Sequence, residues 1–455
     1  MKHIHFIGIC GVAMSALAIA FKKTGFDVTG SDVGFFPPVS TNLEKHNIKF
    51  YPGWHPEKIG TPDLVVVGNV ASSTNPEWQY VQTHKLNYKS YPEAVAEFFV
   101  KQNSIVCAGT YGKTTTSALL SFILIEAGIN PSYMFGGIAT KDFPSAQITD
   151  SLWSVLEGDE YKSSRWDNGA KFFHYSPTHL LLTGLKWDHA DVYPTEELYF
   201  EAFEKLIKSI PTNGLLVVSE NIPNEIVQLS NCQIITYGQS PTAIYQFNNL
   251  AMTKNGLSFT INHNSTIYNL QSKMLGEYNA ENITGAFAMA HQIGIEPDKI
   301  IAAIAKFGGI KRRLEKRGTV NGSDIYDDIA HSPTKAKSVL QTLRQIYTGE
   351  LIAVFEPNTG NRYIESIPQY QNAFANANEV IIPHLTKIKT NLEDTNLPLE
   401  GEDLAKIIAK SHNNARYIAD DKELVEYLKN KTKPDAVIVW LGSHGFRGMI
   451  DELVK

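Results

Sequence analysis

Residues 105–115 have the sequence Ile-Val-Cys-Ala-Gly-Thr-Tyr-Gly-Lys-Thr-Thr, in which an apolar run leads into a glycine-rich turn. The apolar residues predict a buried strand over 105–108, and the pattern that follows predicts a helix over 114–127. Between these elements, backbone N–H groups and the positive end of the helix would converge on one point. We therefore predict a phosphate-binding loop, although Cys107 stands where the general Walker pattern has glycine.

The residues of this loop suit the phosphates of a nucleotide. Lys113 would lie along the β- and γ-phosphates, and the hydroxyl of Thr114 would ligate a Mg²⁺ ion that bridges them. The rest of the cradle would come from Gly109, Thr110, Gly112 and Thr115. The alternative is a tight glycine turn followed by a surface lysine, but the strand–turn–helix context favours phosphate binding.

Around the loop, short runs rich in Val and Ile alternate with amphipathic helical stretches through nearly all 455 residues. This alternation is typical of parallel α/β domains. Because the chain is longer than one hydrophobic core usually serves, we predict three domains. They are a Rossmann-like N-terminal domain over 1–101, a central P-loop ATPase-like domain with a mixed sheet over 102–313, and a Rossmann-like C-terminal domain over 314–455. Further predicted strands are 26–30, 64–67, 153–156, 180–183, an antiparallel pair at 257–262 and 266–270, and 351–355, 380–383 and 436–440, with helices at 278–293 and 297–307.

The composition excludes several classes of protein. The formal net charge is −6, which lacks the basic excess that binding to nucleic acid requires. The three cysteines are few and far apart, which argues against a disulfide framework and favours a reducing compartment, the cytoplasm. Residues 1–21 fit a strand, turn and helix better than a signal peptide, and no apolar run is long enough for membrane insertion.

A second glycine turn lies near the start of the chain, at Gly8-Ile-Cys-Gly11. It resembles a dinucleotide fingerprint, but Cys10 and Ala13 occupy two of the positions where that fingerprint has glycine. The turn would still place a helix N-terminus beside a bound phosphate, and Asp32 could reach a ribose hydroxyl. The residues alone leave three interpretations open: a nicotinamide-dependent oxidoreductase, a UDP-sugar site, and a turn needed only for packing.

Acidic residues follow two of the predicted strands. Glu157-Gly-Asp-Glu160 comes after the first, and Asp188-His-Ala-Asp191 comes after the second. Since the carboxyl ends of parallel strands carry the ligand sites of open α/β sheets, these oxygens and His189 could hold Mg²⁺ beside Thr114. The alternative is that they are merely solvated loop residues.

Together these segments resemble the Mur ligase family over essentially the whole chain. The segments that carry the resemblance are 8–14, 109–115, 157–160, 188–189, 276–282, 311–313 and 327–333. In that family the first domain holds UDP rather than NAD, the second holds ATP and the third holds the incoming amino acid or peptide. The resemblance therefore implies a UDP-N-acetylmuramate substrate and an ATP-dependent ligase that forms an amide through an acyl phosphate.

Within the family, several segments are similar to the branch that adds the murein tripeptide L-alanyl-γ-D-glutamyl-meso-diaminopimelate in peptidoglycan recycling. They are 30–32 with 36–41, 173–177, 187–191, 317–322, 355–357 and 442–448. The alternative acceptor is L-alanine, as in peptidoglycan biosynthesis. A nucleotide-gated binding module without chemistry is a third possibility. We expect the protein to be a monomer or a weak dimer.

The resemblance also assigns roles to individual residues. It implies catalytic roles for Lys113, His189, Arg313 and His331, and metal ligation by Thr114, Glu157 and His189. ATP would be bound by the phosphate loop together with Asn279, Asn282, Arg313 and Asp328, and the UDP-sugar by Gly8, Gly11, Met14, Ser31 and Asp32. Arg362 and His444 would bind the incoming peptide. Asn358 stands where arginine is common in the family, which makes Arg362 the candidate to grip the peptide's carboxylate.

Overall fold

The computed structural model describes residues 2–36, 39–140, 143–189, 192–386 and 398–455. Three sheets with helices on their faces confirm the predicted three-domain α/β class. The chain forms two compact units, and the domain boundaries predicted at 101/102 and 313/314 stay predictions. The first unit contains Met1–Leu250, Ser258–Ser272 and Tyr278–Gly308, and the second contains Ala251–Leu257, Lys273–Glu277 and Gly309–Lys455.

The N-terminal sheet has five strands in the order β3-β2-β1-β4-β5, and every pairing between neighbours is parallel. Strand β4 is entirely apolar and buried, as a central parallel strand covered on both faces should be. The strands are β1 His3–Ile7, β2 Asp27–Asp32, β3 Lys49–Pro52, β4 Leu64–Val67 and β5 Tyr88–Ser90. The helices are α1 Val12–Lys23, α2 Val39–Lys45, α3 Pro56–Ile59, α4 Pro76–Thr83 and α5 Tyr91–Phe99.

The central sheet has ten strands in the order β15-β14-β13-β12-β11-β10-β6-β9-β7-β8. It is mixed, as predicted, because β6, β9, β10, β11 and β12 pair in parallel whereas β7 and β8 are antiparallel. The strands are β6 Asn103–Ala108, β7 Ser132–Met134, β8 Ala146–Gln147, β9 Trp153–Gly158, β10 His179–Leu182, β11 Leu215–Ser219, β12 Gln233–Gly238, β13 Tyr245–Thr253, β14 Gly256–His263 and β15 Thr266–Ser272. The helices are α6 Lys113–Glu126, α7 Glu196–Lys208, α8 Asn224–Val227, α9 Glu277–Gln292 and α10 Pro297–Lys306.

The C-terminal sheet has six strands in the order β16-β17-β21-β18-β19-β20. Its pairings are parallel except that β16 runs antiparallel to β17. The strands are β16 Glu315–Val320, β17 Ser323–Asp328, β18 Leu351–Glu356, β19 Glu379–Pro383, β20 Ala415–Ile418 and β21 Val437–Gly442. The helices are α11 Pro333–Ile346, α12 Ile367–Tyr370, α13 Gly401–Ala409, α14 Asp421–Lys431 and α15 Met449–Val454.

Two differences from the predicted elements concern residues near the phosphate loop. Helix α6 begins at Lys113, one residue earlier than expected, because Gly112 takes the left-handed conformation at the N-cap. Strand β9 continues to Gly158, so Glu157 lies within the strand and pairs with Cys107 of β6. The carboxylate of Glu157 is therefore fixed by the sheet rather than carried on a loop.

The predicted hairpin at 257–262 and 266–270 corresponds to β14 and β15, which are neighbours in the central sheet. Asn264 and Ser265 join them with φ values of 48° and 66°. Two residues with positive φ form the tight turn that links antiparallel strands.

Across the described ranges, no helix is both long enough and apolar enough to cross a bilayer.

Candidate functional site

The glycine-rich loop that is predicted to bind phosphate, here called the phosphate loop, lies between β6 and α6, as the sequence indicated. Gly109 has φ +128° and Gly112 has φ +79°, and both values belong to the left-handed half of backbone space. A Cβ atom on Gly109 would lie 2.6 Å from Thr183 Oγ1 and 2.7 Å from the carbonyl oxygen of Gly184. Glycine is therefore required at this position by both conformation and space.

Hydrogen bonds from a neighbouring loop hold this turn in place. The Thr110 N–H donates to the Gly184 carbonyl at 2.9 Å, and the Thr110 hydroxyl donates to the Lys186 carbonyl at 2.7 Å. The Lys186 N–H in turn donates to the hydroxyl oxygen of Thr110 at 2.8 Å. The Thr183 hydroxyl donates to the Tyr111 carbonyl. The loop that follows β10 thus fixes the backbone that would surround a phosphate.

Lys113 is held at the centre of the loop by a buried carboxylate. Its Nζ lies 2.8 Å from Glu160 Oε2 and donates to the Gly109 carbonyl at 2.7 Å. The Glu160 side chain is 0% exposed. The backbone carbonyl oxygen of Glu160 accepts from the Tyr193 hydroxyl at 2.6 Å. The sequence named Glu160 only as one of several acidic residues, so its role in orienting Lys113 was missed.

His189 contacts the same glutamate. Its Nε2 lies 3.5 Å from Glu160 Oε1, and the hydrogen bond to Glu160 raises the pKa of His189 although burial opposes the shift. The predicted metal ligands therefore divide into two groups in the structure: Thr114 contacts Glu157, whereas His189 contacts Glu160. The acidic candidate Asp191 lies outside the described residues.

Thr114 and Glu157 form a pair of oxygen donors beside the loop. The Thr114 hydroxyl donates to Glu157 Oε1 at 2.7 Å, and the Gly136 N–H donates to Glu157 Oε2 at 2.5 Å. Burial raises the pKa of Glu157, which these hydrogen bonds and Lys113 partly offset. A nearby cation would favour the ionised carboxylate.

These donors fit Mg²⁺. Within the ranges that the structure describes, no group of three or more His, Cys, Asp and Glu side chains could hold a metal. Mg²⁺ commonly uses one or two protein oxygens and completes its shell with water and substrate phosphates. A hydroxyl and a carboxylate at a phosphate loop therefore supply the set of protein ligands that this ion needs.

Two asparagines of α9 approach the loop from the other side. Asn279 and Asn282 are buried on one helical face, and Asn282 Nδ2 donates to Asn279 Oδ1 at 3.3 Å. A Cβ atom on Gly112 would overlap Asn282 Oδ1. Asn282 thus lies against the phosphate loop and Asn279 is hydrogen-bonded to Asn282, whereas contact of either asparagine with a nucleotide stays a prediction.

We expect Gly112→Ala to weaken ATP binding by about tenfold or more, because the new methyl group would displace Asn282 and distort the loop. The matched control is Gly128→Ala at the other end of α6. Gly128 also has a positive φ, +88°, but among the described residues nothing lies within 4 Å of its Cβ position. Both variants should lose about 1 kcal/mol of stability from backbone strain, as thermal unfolding would report. Equal ATP affinity in the two variants, measured by titration calorimetry, would argue against the role of Asn282.

The first glycine turn is held by the residues that were predicted to bind a UDP-sugar. The Gly8 and Ile9 N–H groups donate to the Ser31 carbonyl at 2.9 and 3.1 Å. Asp32 Oδ2 accepts from the Cys10 N–H at 2.9 Å, and Asp32 Oδ1 accepts from the Val33 N–H at 2.8 Å. The carboxylate of Asp32 therefore organises the turn, and contact with a ribose stays a prediction.

The other predicted residues of this turn lie around the start of α1. Gly11 is exposed and caps the helix, and the described residues provide no side-chain hydrogen bond at that cap. Met14 is buried in the N-terminal core, and the Ser31 hydroxyl donates to Glu77. The backbone at the helix start is thus the part of the turn best able to meet a phosphate.

In the second unit, adjacent arginines have different environments. Arg312 donates to the Ser443, Gly442 and His444 carbonyls at 2.9, 2.5 and 2.7 Å. Arg313, the residue predicted to contact phosphates, is exposed. The first arginine ties its segment to the end of β21, while the second presents its charge to solvent.

Asp328 ends β17 and is 5% exposed. Its Oδ2 accepts from the Leu314 N–H at 2.7 Å, and its Oδ1 accepts from the Ala330 N–H at 2.8 Å. Burial raises the pKa of Asp328 to about 6, although Arg313 opposes the shift. These bonds show that Asp328 fixes the backbone near Arg313, whereas its predicted contact with ribose is untested.

This pKa predicts a pH dependence of stability. The folded pKa of Asp328 lies above its unfolded value of 3.8, so its protonated side chain stabilises the fold below pH 3.8. This contribution to stability is lost as the pH rises through about 6. The loss should reach up to about 3 kcal/mol and should be absent in Asp328→Asn. Asp324 serves as the control, because hydrogen bonds from Lys316, Tyr347 and Thr319 lower its pKa against the effect of burial. Asp324→Asn should instead remove a slope of the opposite sign at or below about pH 4, so urea unfolding is measured from about pH 3 to 7.

The remaining predicted residues lie in the second unit. His331 Nδ1 is 2.7 Å from the Ile329 carbonyl, just before α11, and His444 is exposed. Arg362 is 3% exposed, and it donates to the Leu399 and Thr386 carbonyls at 3.0 and 2.8 Å. Since its guanidinium already holds two backbone segments, the geometry gives Arg362 a structural role and does not favour its predicted grip on a carboxylate.

Three family profiles match the chain. They are "Mur ligase family, catalytic domain" over residues 3–102, "Mur ligase middle domain" over 107–290 and "Mur ligase, glutamate ligase domain" over 312–444. The chain therefore belongs to the Mur ligase family, whose members are ATP-dependent ligases that form C–N bonds.

Among its relatives is UDP-N-acetylmuramate--L-alanyl-gamma-D-glutamyl-meso-2,6-diaminoheptandioate ligase of Haemophilus influenzae. It is 33% identical over 369 residues, which cover 79% of this chain and 80% of the relative. UDP-N-acetylmuramate--L-alanine ligase of Acetivibrio thermocellus is 30% identical over 448 residues, covering 97% and 93%. The names of these relatives thus include both acceptors that the sequence analysis left open.

Solved structures share the fold. The murein peptide ligase of Psychrobacter arcticus has a TM-score of 0.70 and 26% identity, covering 100% of this chain and 98% of that one. The UDP-N-acetylmuramate-alanine ligase of Thermotoga maritima has a TM-score of 0.80 and 21% identity, with the same coverage. The second likeness concerns the fold alone.

Proposed function

We propose that this ligase joins the lactyl carboxylate of UDP-N-acetylmuramate to the amine of L-alanyl-γ-D-glutamyl-meso-diaminopimelate in the cytoplasm, with Mg²⁺ as cofactor. The observation that carries the reaction type is the phosphate loop, in which Lys113 is oriented by Glu160 and Thr114 contacts Glu157. The choice of acceptor is supported by 33% identity to a relative named for this peptide and by the resemblance of residues 355–357 and 442–448 to that branch.

The proposed reaction has two steps. A carboxylate oxygen of the muramic acid attacks the γ-phosphorus of ATP, and ADP leaves. The amine nitrogen then attacks the acyl carbon, phosphate leaves, and the amine loses a proton. Since both reactants in the first step are anionic, positioning and charge neutralisation should carry most of the catalysis.

The residues of the loop would divide this work. Lys113 would neutralise the transferring phosphoryl group, and the backbone amides of the loop would bind the other phosphate oxygens. Thr114 and Glu157 would hold the Mg²⁺ ion, which would add positive charge at the phosphates. His189, whose pKa is raised by Glu160, would donate to a phosphate oxygen.

L-alanine is the second candidate acceptor, because a relative named for it is 30% identical over 97% of this chain. A nicotinamide-dependent oxidoreductase has no comparable support, since the family forms C–N bonds with ATP. The two acceptors differ in size and charge, so competition between them shows which acceptor the ligase prefers.

The test incubates the protein with ATP, Mg²⁺, UDP-N-acetylmuramate and equal concentrations of L-alanine and the tripeptide. Product masses and phosphate release are followed together. We expect the tripeptide product to predominate, with one phosphate released for each amide. Predominant alanine addition would favour the second candidate, and phosphate release without either product would contradict both.

A further inference from the structure

Glu356 is a buried carboxylate at the end of β18 in the second unit. It is 1% exposed, and its Oε1 accepts from the Thr386 N–H at 2.8 Å and from the Thr386 hydroxyl at 2.7 Å. Its Oε2 lies 3.7 Å from an Arg447 nitrogen but accepts no hydrogen bond from any residue that the structure describes. Among the described residues, one oxygen of this carboxylate therefore lacks a donor.

The position of Glu356 in the sheet is typical of a ligand site. Strand β18 lies between β21 and β19, and Glu356 is paired with Gly442 at the carboxyl ends of β18 and β21. The chain runs from β17 through β18 and β19 to β20 in one direction across the sheet, and it then returns to β21, which lies between β17 and β18. Ligands of open α/β sheets bind at such a change of direction. Thr386 and Arg447, which flank the carboxylate, are exposed, so Glu356 lies just beneath the surface.

Arg447 is held by another carboxylate, Asp421. Its Nε and one terminal nitrogen donate to the two oxygens of Asp421 at 2.7 and 2.8 Å. The bidentate contact fixes the guanidinium plane and leaves the remaining nitrogen beyond hydrogen-bond distance from Glu356. Leaving a buried oxygen without a donor is costly, so a ligand that brings a donor would be bound favourably.

We propose that Glu356 binds the non-reacting ammonium group of a diamino acid at the end of the incoming peptide. The inference rests on the proposed ligase function and deepens it by naming the feature of the acceptor that is recognised. An ammonium supplies three N–H donors and a positive charge, which match a buried carboxylate.

The charge of Glu356 also indicates which amine it would bind. The amine that forms the amide must lose its proton before attack, and an adjacent carboxylate would instead stabilise the protonated form. Glu356 therefore suits an amine that stays charged throughout the reaction. L-alanine has a single amine, whereas a tripeptide that ends in a diamino acid has a second one.

The test compares two tripeptides that differ at the end distal to the reacting amine. One is L-alanyl-γ-D-glutamyl-L-lysine and the other is L-alanyl-γ-D-glutamyl-L-norleucine, which lacks only the terminal ammonium. We expect the wild-type protein to prefer the lysine peptide by about ten- to a hundredfold in kcat/KM. Glu356→Gln should abolish this preference, mainly by raising KM for the lysine peptide.

Glu379→Gln is the matched control, because Glu379 is also a buried carboxylate but lies at the amino end of β19. It is paired with Arg416 at 2.7 Å and Lys431 at 3.2 Å. This variant should keep the preference for lysine even if it is less stable. An unchanged preference in Glu356→Gln, or equal use of both peptides by the wild-type protein, would overturn the inference. Failure of the wild-type protein to ligate any peptide to UDP-N-acetylmuramate would instead refute the proposed function.

Discussion

Replacing Lys113 with methionine is expected to slow ATP-dependent amide formation by about a thousandfold or more. Lys113 is the cation fixed at the centre of the phosphate loop, and its Nζ is 2.8 Å from Glu160. Methionine has a similar length but no charge, so the transferring phosphoryl group would lose its fixed counter-charge. Steady-state phosphate release with the tripeptide acceptor would measure the loss.

This variant also removes a charged partner of a buried carboxylate. Glu160 would keep His189, 3.5 Å from its Oε1, but the lost ion pair could still cost up to about 3–5 kcal/mol of stability. Such a cost would confuse a loss of chemistry with a loss of fold. The double variant Lys113→Met with Glu160→Gln separates the two effects. We expect it to regain thermal stability while remaining inactive. Recovery of near-wild-type turnover in the double variant would show that Lys113 serves only to neutralise Glu160.

Glu157→Gln is expected to reduce turnover by about a hundredfold and to shift activation to higher Mg²⁺ concentrations. Glutamine keeps the size of the side chain and can still contact Thr114, which donates to Glu157 at 2.7 Å. What it removes is the negative charge that would hold the cation. Burial raises the pKa of Glu157, which means that the fold disfavours its charged form. Stability at neutral pH should therefore not fall.

The neighbouring Asp159 provides the control for this prediction. Although burial opposes it, Lys171 and Lys113 lower the pKa of Asp159, and Lys171 Nζ lies 2.5 Å from its Oδ2. Asp159→Asn should lose stability because it breaks this ion pair, but it should keep the wild-type dependence on Mg²⁺. A titration of turnover against Mg²⁺ for both variants decides the assignment. The same midpoint in Glu157→Gln and the wild-type protein would exclude Glu157 as a ligand.

The parts of the fold that the sequence predicted well are those that local chemistry determines. The phosphate loop needs Gly109 and Gly112 in left-handed conformations, and a glycine turn between an apolar run and a helix is visible in the sequence itself. The strand at 64–67 was predicted with its observed bounds, because its four apolar residues are buried on both faces of the N-terminal sheet.

The contacts that the sequence could not predict depend on residues far apart in the chain. Lys113 and Glu160 are separated by 47 positions, and no local pattern indicates which of the acidic residues after β9 would reach the lysine. Likewise, nothing around Arg362 shows that backbone carbonyls of Thr386 and Leu399 would occupy its guanidinium. The burial of Glu356 and its pairing with Gly442 at the carboxyl ends of β18 and β21 also appear only in three dimensions.

The most direct test of the proposed chemistry follows oxygen from the acid substrate. UDP-N-acetylmuramate labelled with ¹⁸O in its lactyl carboxylate is incubated with ATP, Mg²⁺, the tripeptide and the protein, and the released phosphate is analysed by mass spectrometry. If the carboxylate attacks the γ-phosphorus to give an acyl phosphate, one labelled oxygen appears in inorganic phosphate for each amide formed. Amide formation with unlabelled inorganic phosphate, or with AMP as the nucleotide product, would contradict the mechanism.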